Sequence, residues 1–469
     1  MGFDGGTGVR PMVRPALRRA WRDLHHVQFG VAPAHAVVVG PLDMATGSLL
    51  ALLDGTRDLP RLREEARGLG LPDDWLEGLL RRLARAGLLE DTGGGGGGGS
   101  DGRAGATGAG GAGTAGPDAG GPDAAGPGGS GWRTRAGRVP AYSDGGDGDG
   151  RGSRSARAGS STGVSGTGAG VPDRLRPDLG SLSVVHRGPG EPLRRLAARG
   201  AMRVQVRGAG RVGATVAALL SAAGVGRVDV LDGGRVEPWD VAPGGLPPES
   251  VGERRDTASG RLVARASPGR AWTHAGRGTG AGRPVGGPEP GLSLVVVAPR
   301  DGLAAYAPDP VTAGIWVETG TPHLFAGVLE ATGVVGPLVV PGETACARCA
   351  ELERVDADPA WPRLLAQWRS GGRSGRVPVG DMGLAAVVAG LAAAHALAFL
   401  DGGAPASAGA RWEVSSPLLE WRSWRQRPHG ACPCGAAGRR REGAASGEPE
   451  WWERERASGA GERQDTMAG

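Results

Sequence analysis

All four cysteines of the 469-residue chain fall into two close pairs, Cys346 with Cys349 and Cys432 with Cys434. A Cys-x-x-Cys pair in the turn after a strand, joined by a second pair from far along the chain, offers the thiolates a tetrahedral metal site requires. Zinc is the metal such a set favours. With all four positions filled by protein, no place is left for substrate. The metal would therefore be structural, worth on the order of 10 kcal/mol in holding distant segments together. The second pair encloses one residue, Pro433, where two are more usual. Disulfides or a redox dithiol are the other uses open to these thiols, and a reducing compartment argues against the former. If metal takes all four, none remains to carry an acyl group.

A second chemical feature is Gly208-Ala209-Gly210-Arg211-Val212-Gly213. It follows a predicted strand, Arg203 to Arg207, and opens a predicted helix, Ala214 to Ala223. In that setting Gly208 allows the tight turn, Gly210 lets a phosphate approach the backbone, and Gly213 lets helix and strand pack closely. Free amides at the helix start face the anion, and Arg211 could meet it too. Asp232, 24 positions after Gly208 at the end of the next strand, stands where a carboxylate would accept bonds from ribose hydroxyls. The alternative is a glycine turn kept for close packing after the ligand was lost.

The elements around these residues describe an α/β fold. A helix from Glu191 to Ala198 precedes the first strand, and Arg227 to Leu231 forms the second, so strand, helix and strand make a parallel βαβ unit. Leu294 to Ala298 reads as a later buried strand. Leu324 to Glu330 and Val334 to Val340 read as a hairpin joined by Thr332-Gly333. His323 opens one of these strands and is expected to be structural. Asp358 to Pro362 starts a helix carrying Leu364, Leu365 and Trp368, a packing or dimer surface.

Upstream, residues 18–91 read as a small α+β unit: short strands at His26 to Gly30 and Ala36 to Gly40, then three amphipathic helices. The last, Asp73 to Ala86, places Trp75, Leu79, Leu80 and Leu83 at helical spacing and stops at Gly87. Strand pair, helices and the closing Leu88-Leu89 suggest a winged-helix-like module. Residues 92–180, with an unbroken Gly93 to Gly99 run, have almost nothing to bury and read as a disordered tether. Ser267 to Gly291 is a second loose stretch, and residues 436–469 are a polar tail containing Trp451 and Trp452.

Charge narrows the function classes. The net charge is +5 and the pI about 9.6, but Arg and acidic residues are interspersed, which argues against nucleic acid as a partner. Every one of the 54 basic residues is Arg, because the chain has neither Lys nor Asn. Met382 to Leu400 is apolar apart from His395, yet its Ala and Gly offer lipid little, so a buried helix is expected and no membrane association. No secretory signal is evident, and a cytoplasmic location is expected.

From Val204 to Asp232, then Val236 and Val251-Gly252-Glu253-Arg254-Arg255, the chain resembles the ThiF, MoeB and HesA family, relatives of ubiquitin-activating enzymes. The cysteine pairs match that family's zinc site. The resemblance covers residues 181–435 and implies a Rossmann-like ThiF-type domain with structural zinc, and a homodimer. It also implies ATP with magnesium, used to adenylate the C-terminal carboxylate of a small protein or peptide. Where the family has Asn, then Arg and Gln, this chain reads Trp239-Asp240-Val241-Ala242-Pro243-Gly244-Gly245. The family's phosphate-contacting Lys is absent, Arg255 being its candidate replacement, and Asp301 is the candidate for the magnesium Asp. Arg does not copy a compact ammonium in place, so the ATP site is expected to be degenerate.

The N-terminal unit resembles the PqqD-related peptide-binding module. Joined to a ThiF-like domain, it is similar to the leader-binding partners of azole-forming cyclodehydratases, where a separate YcaO-type enzyme consumes the ATP. That resemblance implies a protein that binds a ribosomal precursor peptide, as a strand added beside Ala36 to Gly40, and presents it for modification. The other function compatible with the motifs is an active adenylyltransferase acting on a peptide or ubiquitin-like carrier protein. An NAD-linked oxidoreductase would need a hydride site, and no residues for one are found.

Overall fold

The computed structural model describes residues 8–92, 171–269, 291–370 and 377–438. Most of the expected tether and loose stretch, and the tail from residue 439 with Trp451 and Trp452, lie outside the described residues.

The N-terminal elements are β1 (Pro11–Val13), β2 (Arg19–Trp21), β3 (Val27–Phe29), β4 (Val37–Val39), α1 (Met44–Ala51), α2 (Leu59–Gly68), α3 (Trp75–Arg85) and β5 (Leu89–Asp91). Strands β2, β3 and β4 form an antiparallel sheet in that order, while β1 pairs with β5, so the N-terminal unit begins ahead of residue 18. Asp43 and Asp58 cap α1 and α2 by accepting the amides of Thr46 and Arg61 at 2.7 and 3.0 Å. Helix α3 stops where Gly87 turns to φ +69°, and the amide of Leu88 reaches back to the carbonyl of Leu83 at 2.9 Å. Leu76, Leu79, Leu80 and Leu83 of α3 are buried against Val27, Phe29, Leu49 and Leu62. Each stabilises the module by about 2 kcal/mol.

After α4 (Arg176–Val185), which begins inside the stretch read as tether, and α5 (Glu191–Ala201) come β6 (Arg203–Arg207), α6 (Arg211–Ala222), β7 (Arg227–Leu231), α7 (Arg255–Ala266) and β8 (Leu294–Val297). Then follow α8 (Leu303–Tyr306), α9 (Pro310–Glu318), β9 (His323–Leu329), β10 (Thr332–Val339), α10 (Ala347–Ala357), α11 (Trp361–Ser370), α12 (Met382–Leu400), β11 (Ala410–Ser415) and β12 (Glu420–Arg425). The seven strands lie in the order β12-β11-β10-β9-β8-β6-β7. Those from β7 to β9 are parallel and those from β9 to β12 antiparallel. The chain leaves β6 to one side for β7 and returns to its other side for β8. That reversal puts a crevice at the carboxyl ends of β6 and β8, where open α/β sheets place ligands.

Helix α12 is long and apolar enough to cross a membrane, with a mean hydropathy of 2.0. Here its Leu384, Val388, Ala392 and Ala396 pack with Val216 and Leu220 of α6 and with β9 and β10. This packing corrects the hairpin. Its turn is Glu330-Ala331, both at positive φ (49° and 62°), while Thr332 and Gly333 lie in β10 opposite Leu329 and Val328. Gly333 is small because a methyl there would come within 2.5 Å of Val388 and 3.0 Å of Leu384. The glycine serves the helix contact and not the bend.

The same turn carries Glu330, which fastens the N-terminal sheet to the larger domain. Its carboxylate accepts the amides of Arg18 at 2.7 Å and Val31 at 2.6 Å. Burial pushes its carboxyl above the usual range, against the pull of those amides. Helix α11 completes the dock, so the expected packing surface is used within one chain. Gln367 pairs with both backbone groups of Trp21 on the edge of β2, at 2.9 and 2.8 Å, and Arg22 grips both oxygens of Asp358 at 2.8 Å. Ala20, Val31 and Ala32 are buried with Leu364, Leu365 and Trp368. One edge of the three-stranded sheet, β2, is therefore covered, and β4 forms the other.

Candidate functional site

The glycine turn lies where the sequence places it. Gly208 sits at φ +106°, and a methyl there would overlap the carbonyl oxygen of Ala298. A methyl on Gly213 would overlap the carbonyl of Gly208, so the first and third glycines answer to backbone packing. Gly210 differs, because the atom nearest to an added methyl is a side-chain carbon of Arg300, at 3.1 Å. Arg300 thus lies against the position through which a phosphate would approach.

Asp232 is already engaged. One oxygen accepts the amide of Ala209 at 2.9 Å, and the other accepts that of Gly234 at 3.0 Å. The same second oxygen lies 2.9 Å from Nε of Arg255. Arg255, the candidate phosphate ligand, spans to a second carboxylate, Asp240, at 3.5 Å, and donates to the carbonyl of Arg235. Asp240 is 1% exposed and also takes Nε of Arg300 at 2.5 Å, while Arg300 pairs with Glu237 and lies over the Trp239 ring. Two guanidinium groups therefore do reach the stretch Trp239 to Gly245, but carboxylates of the chain itself neutralise them. Arg211 donates to the carbonyl of Gly380 at 2.9 Å. Asp301 faces the N-terminal module, 3.3 Å from Nη2 of Arg18, and caps the amide of Leu303 at 3.2 Å.

The cavity at the turn, lined by Gly210, Trp239, Asp240, Arg300 and Val379, measures about 40 Å³. Small-molecule pockets more often run to about 300 Å³ and above. Next to it, Arg18, Arg300, Asp301, Glu330 and Val377 line a cleft of about 250 Å³. Arg300, Pro378 and Val379 border both spaces. Asp240, Arg300 and Glu330 were not singled out in the sequence, since nothing nearby in the chain marks their pairing.

The cysteines converge. Their four sulfurs lie within 4.8 Å of one another, with Cys346 to Cys432 and Cys349 to Cys434 at 3.6 Å and Cys346 to Cys349 at 3.9 Å. None is in a disulfide. Four sulfurs about 2.3 Å from a zinc ion at the centre of a tetrahedron stand about 3.8 Å apart, so the donor set fits that ion. Cys346 is the N-cap of α10 and Cys349 lies in its first turn, where the helix dipole favours thiolates. The single residue between Cys432 and Cys434 does not prevent convergence.

His323 is structural, as expected. It is wholly buried against Trp316 and Phe325, and its Nδ1 meets the carbonyl of Thr321 at 3.0 Å. Burial lowers its pKa from 6.5 to about 4. Between those values the unfolded chain binds a proton that the folded one refuses. The stability involved is fully present above pH 6.5 and lost as pH falls toward 4, amounting to roughly 3 kcal/mol. Urea titrations of His323→Gln should therefore show a shallower loss of stability across that window; an unchanged slope would refute the assignment.

The profile of the ThiF family matches residues 194–434. Solved structures of Escherichia coli MccB are similar to the chain at low identity. MccB with selenomethionine MccA is 13% identical, with a TM-score of 0.43, covering 91% of this chain and 99% of that one. MccB with ATP is 14% identical, with the same TM-score and coverage. PaaA is 15% identical, with a TM-score of 0.40, covering 54% of this chain and 82% of that one. No curated protein sequence matches. With the family profile spanning just over half its length, and with the glycine turn at the sheet's switch point and four convergent thiols, the chain belongs to the ThiF family.

Proposed function

We propose that this protein captures a ribosomal precursor peptide as an added strand on β4 and presents it for modification, while its glycine turn no longer processes ATP. The observation that carries the reading is the state of the two sheet edges in the N-terminal module. In the ladder between β2 and β3, the amide of Gly30 donates to Arg18 and that of Arg22 to His26. Hydrogen-bonded pairs alternate along an antiparallel ladder, so Gln28 also bonds toward β2, while Val27 and Phe29 bond toward Val39 and Val37 of β4. Val38 is left with its N–H and C=O directed away from β3, and its side chain is 51% exposed. An extended peptide gains affinity from such groups and specificity from alternate side chains. The PqqD-like character of the module, a YcaO-type cyclodehydratase as the enzyme served, and zinc as the resident metal belong to this same reading.

A second reading, adenylation of a peptide or carrier-protein carboxylate, is favoured by one feature. Arg300 alone of the charged residues borders both cavities, so its rotation would join the small space at the glycine turn to the 250 Å³ cleft.

Val38→Pro separates the possibilities, since proline on an edge strand deletes only the outward amide. Against a ribosomal precursor peptide that the wild type binds, the variant should fold normally and bind at least about tenfold more weakly, the worth of roughly 1.4 kcal/mol. Unchanged affinity would remove β4 as the site. ATP–pyrophosphate exchange should stay at background with that peptide present, and peptide-dependent exchange would establish adenylation instead.

A further inference from the structure

The turn between β9 and β10 is two residues long, Glu330-Ala331, and both stand at positive φ, 49° and 62°. A two-residue turn of that shape favours Asn-Gly or Asp-Gly, because a residue with a Cβ is strained there. Neither residue is glycine, and strain of this kind persists where the surroundings over-determine it. Here those surroundings are the N-terminal module. Glu330 is 4% exposed, and each carboxylate oxygen takes one amide, Oε1 that of Arg18 at 2.7 Å and Oε2 that of Val31 at 2.6 Å.

Both amides belong to the end of one ladder. Gly30, which follows β3, donates to the carbonyl of Arg18 at 2.8 Å, so the carboxylate closes the β2–β3 pair where the strands part. The chain then folds back tightly. Gly30 is at φ +85°, and a methyl there would stand 2.9 Å from the carbonyl oxygen of His35. The carbonyl of Ala32 accepts the amides of His35 and Ala36, both at 2.9 Å, and β4 starts at the next residue, Val37. Val31 and Ala32 are buried with Leu364 and Leu365 of the larger domain. The approach to β4 is therefore a loop whose first residue is anchored by Glu330, 299 positions away. The contact of Gln367 with Trp21 grips β2 instead, the far edge of the same sheet.

We propose that Glu330 is a positioning residue for peptide capture: its carboxylate sets the loop between β3 and β4, so the affinity of β4 for an added strand depends on a group of the larger domain. The proposal rests on the reading of β4 as the peptide site. By linkage, a peptide bound on β4 tightens the contact between module and larger domain by the same factor.

Glu330→Gln keeps the shape but turns an N–H toward one of the two amides, which loses its acceptor. In the full chain, hydrogen exchange at the amides of Val31, His35 and Ala36 should quicken at least about tenfold, while β6 and α6 exchange as before. Against a ribosomal precursor peptide that the wild type binds, the variant should bind at least about fivefold more weakly. In a Val38→Pro background the same change should weaken binding by less than about twofold further, because the strand it positions no longer pairs. Gln367→Ala, which loosens the grip on β2 and spares the Glu330 contacts, should bind within about twofold of the wild type. If Glu330→Gln does not fold, Glu330→Asp, one methylene short of reaching both amides, carries the same expectations. Unchanged exchange in the loop would overturn the proposal, as would additive effects of the two changes or equal weakening by Gln367→Ala. Val38→Pro weakening the peptide while Glu330→Gln does not would overturn this proposal alone. Val38→Pro without effect would overturn the β4 reading and this proposal with it.

Discussion

Replacing Cys432 with Ser should release the metal and lower the melting temperature by about 10 °C or more. Cys432 lies 86 residues from Cys346 in sequence and 3.6 Å from it in space, so a metal held by both ties the end of the sheet to the start of α10. A hydroxyl at that position is a far poorer zinc ligand, and three thiolates crowded together without a cation repel one another. Structural zinc sites contribute on the order of 10 kcal/mol. Losing even half of that, at about 2–4 °C per kcal/mol in a domain of this size, gives the stated shift. Metal analysis and calorimetry together check it: the wild type should hold one zinc per chain and lose the same melting increment to a strong chelator. A wild type free of zinc, or a variant that melts with it, would remove the metal site from the account.

Asp240→Asn should have the second largest effect, and it bears on function. The buried carboxylate holds Arg255 at 3.5 Å and Arg300 at 2.5 Å. Asn preserves the shape and leaves two guanidinium groups short of their counter-charge beside a helix N-terminus. Breaking such a pair costs about 3 kcal/mol, discounted for the partial exposure of the arginines. The altered site then resembles what a phosphate group seeks: two cations and free loop amides. Pyrophosphate at a hundred times its dissociation constant should restore about 2.7 kcal/mol to the variant, and nothing to the wild type. Equal stabilisation of the wild type would mean that Arg300 yields readily to anions, and would favour the adenylating reading.

These two sites were unequally legible. The strands β6 and β7 and the turn between β6 and α6 could be read directly, because an apolar run, a Gly-rich bend and a carboxylate at fixed spacing are local patterns. The cysteine pairs were legible because thiols are rare in this chain and few chemistries use four. The hairpin turn was misplaced: glycine marks turns by habit, whereas Gly333 is small to admit Val388, 55 residues further on. The ion pairs of the candidate residues Arg255 and Asp301 carry no such local mark. Arg255 is shared by Asp232 and Asp240, and Asp301 answers to Arg18 from the other end of the chain.

The amino-acid sequence by itself determined the inventory: four metal-ready thiols, a glycine bend after a buried strand, a docking-sized module with its own leucine core, and Arg as the sole cation at neutral pH. Only the tertiary structure decided how these groups spend their charge and their hydrogen bonds. Periodicity and backbone bends are set by neighbours a few positions away. Ion pairing depends instead on distance in space, and Asp240 meets Arg300 across 60 residues while Glu330 meets Val31 across 299.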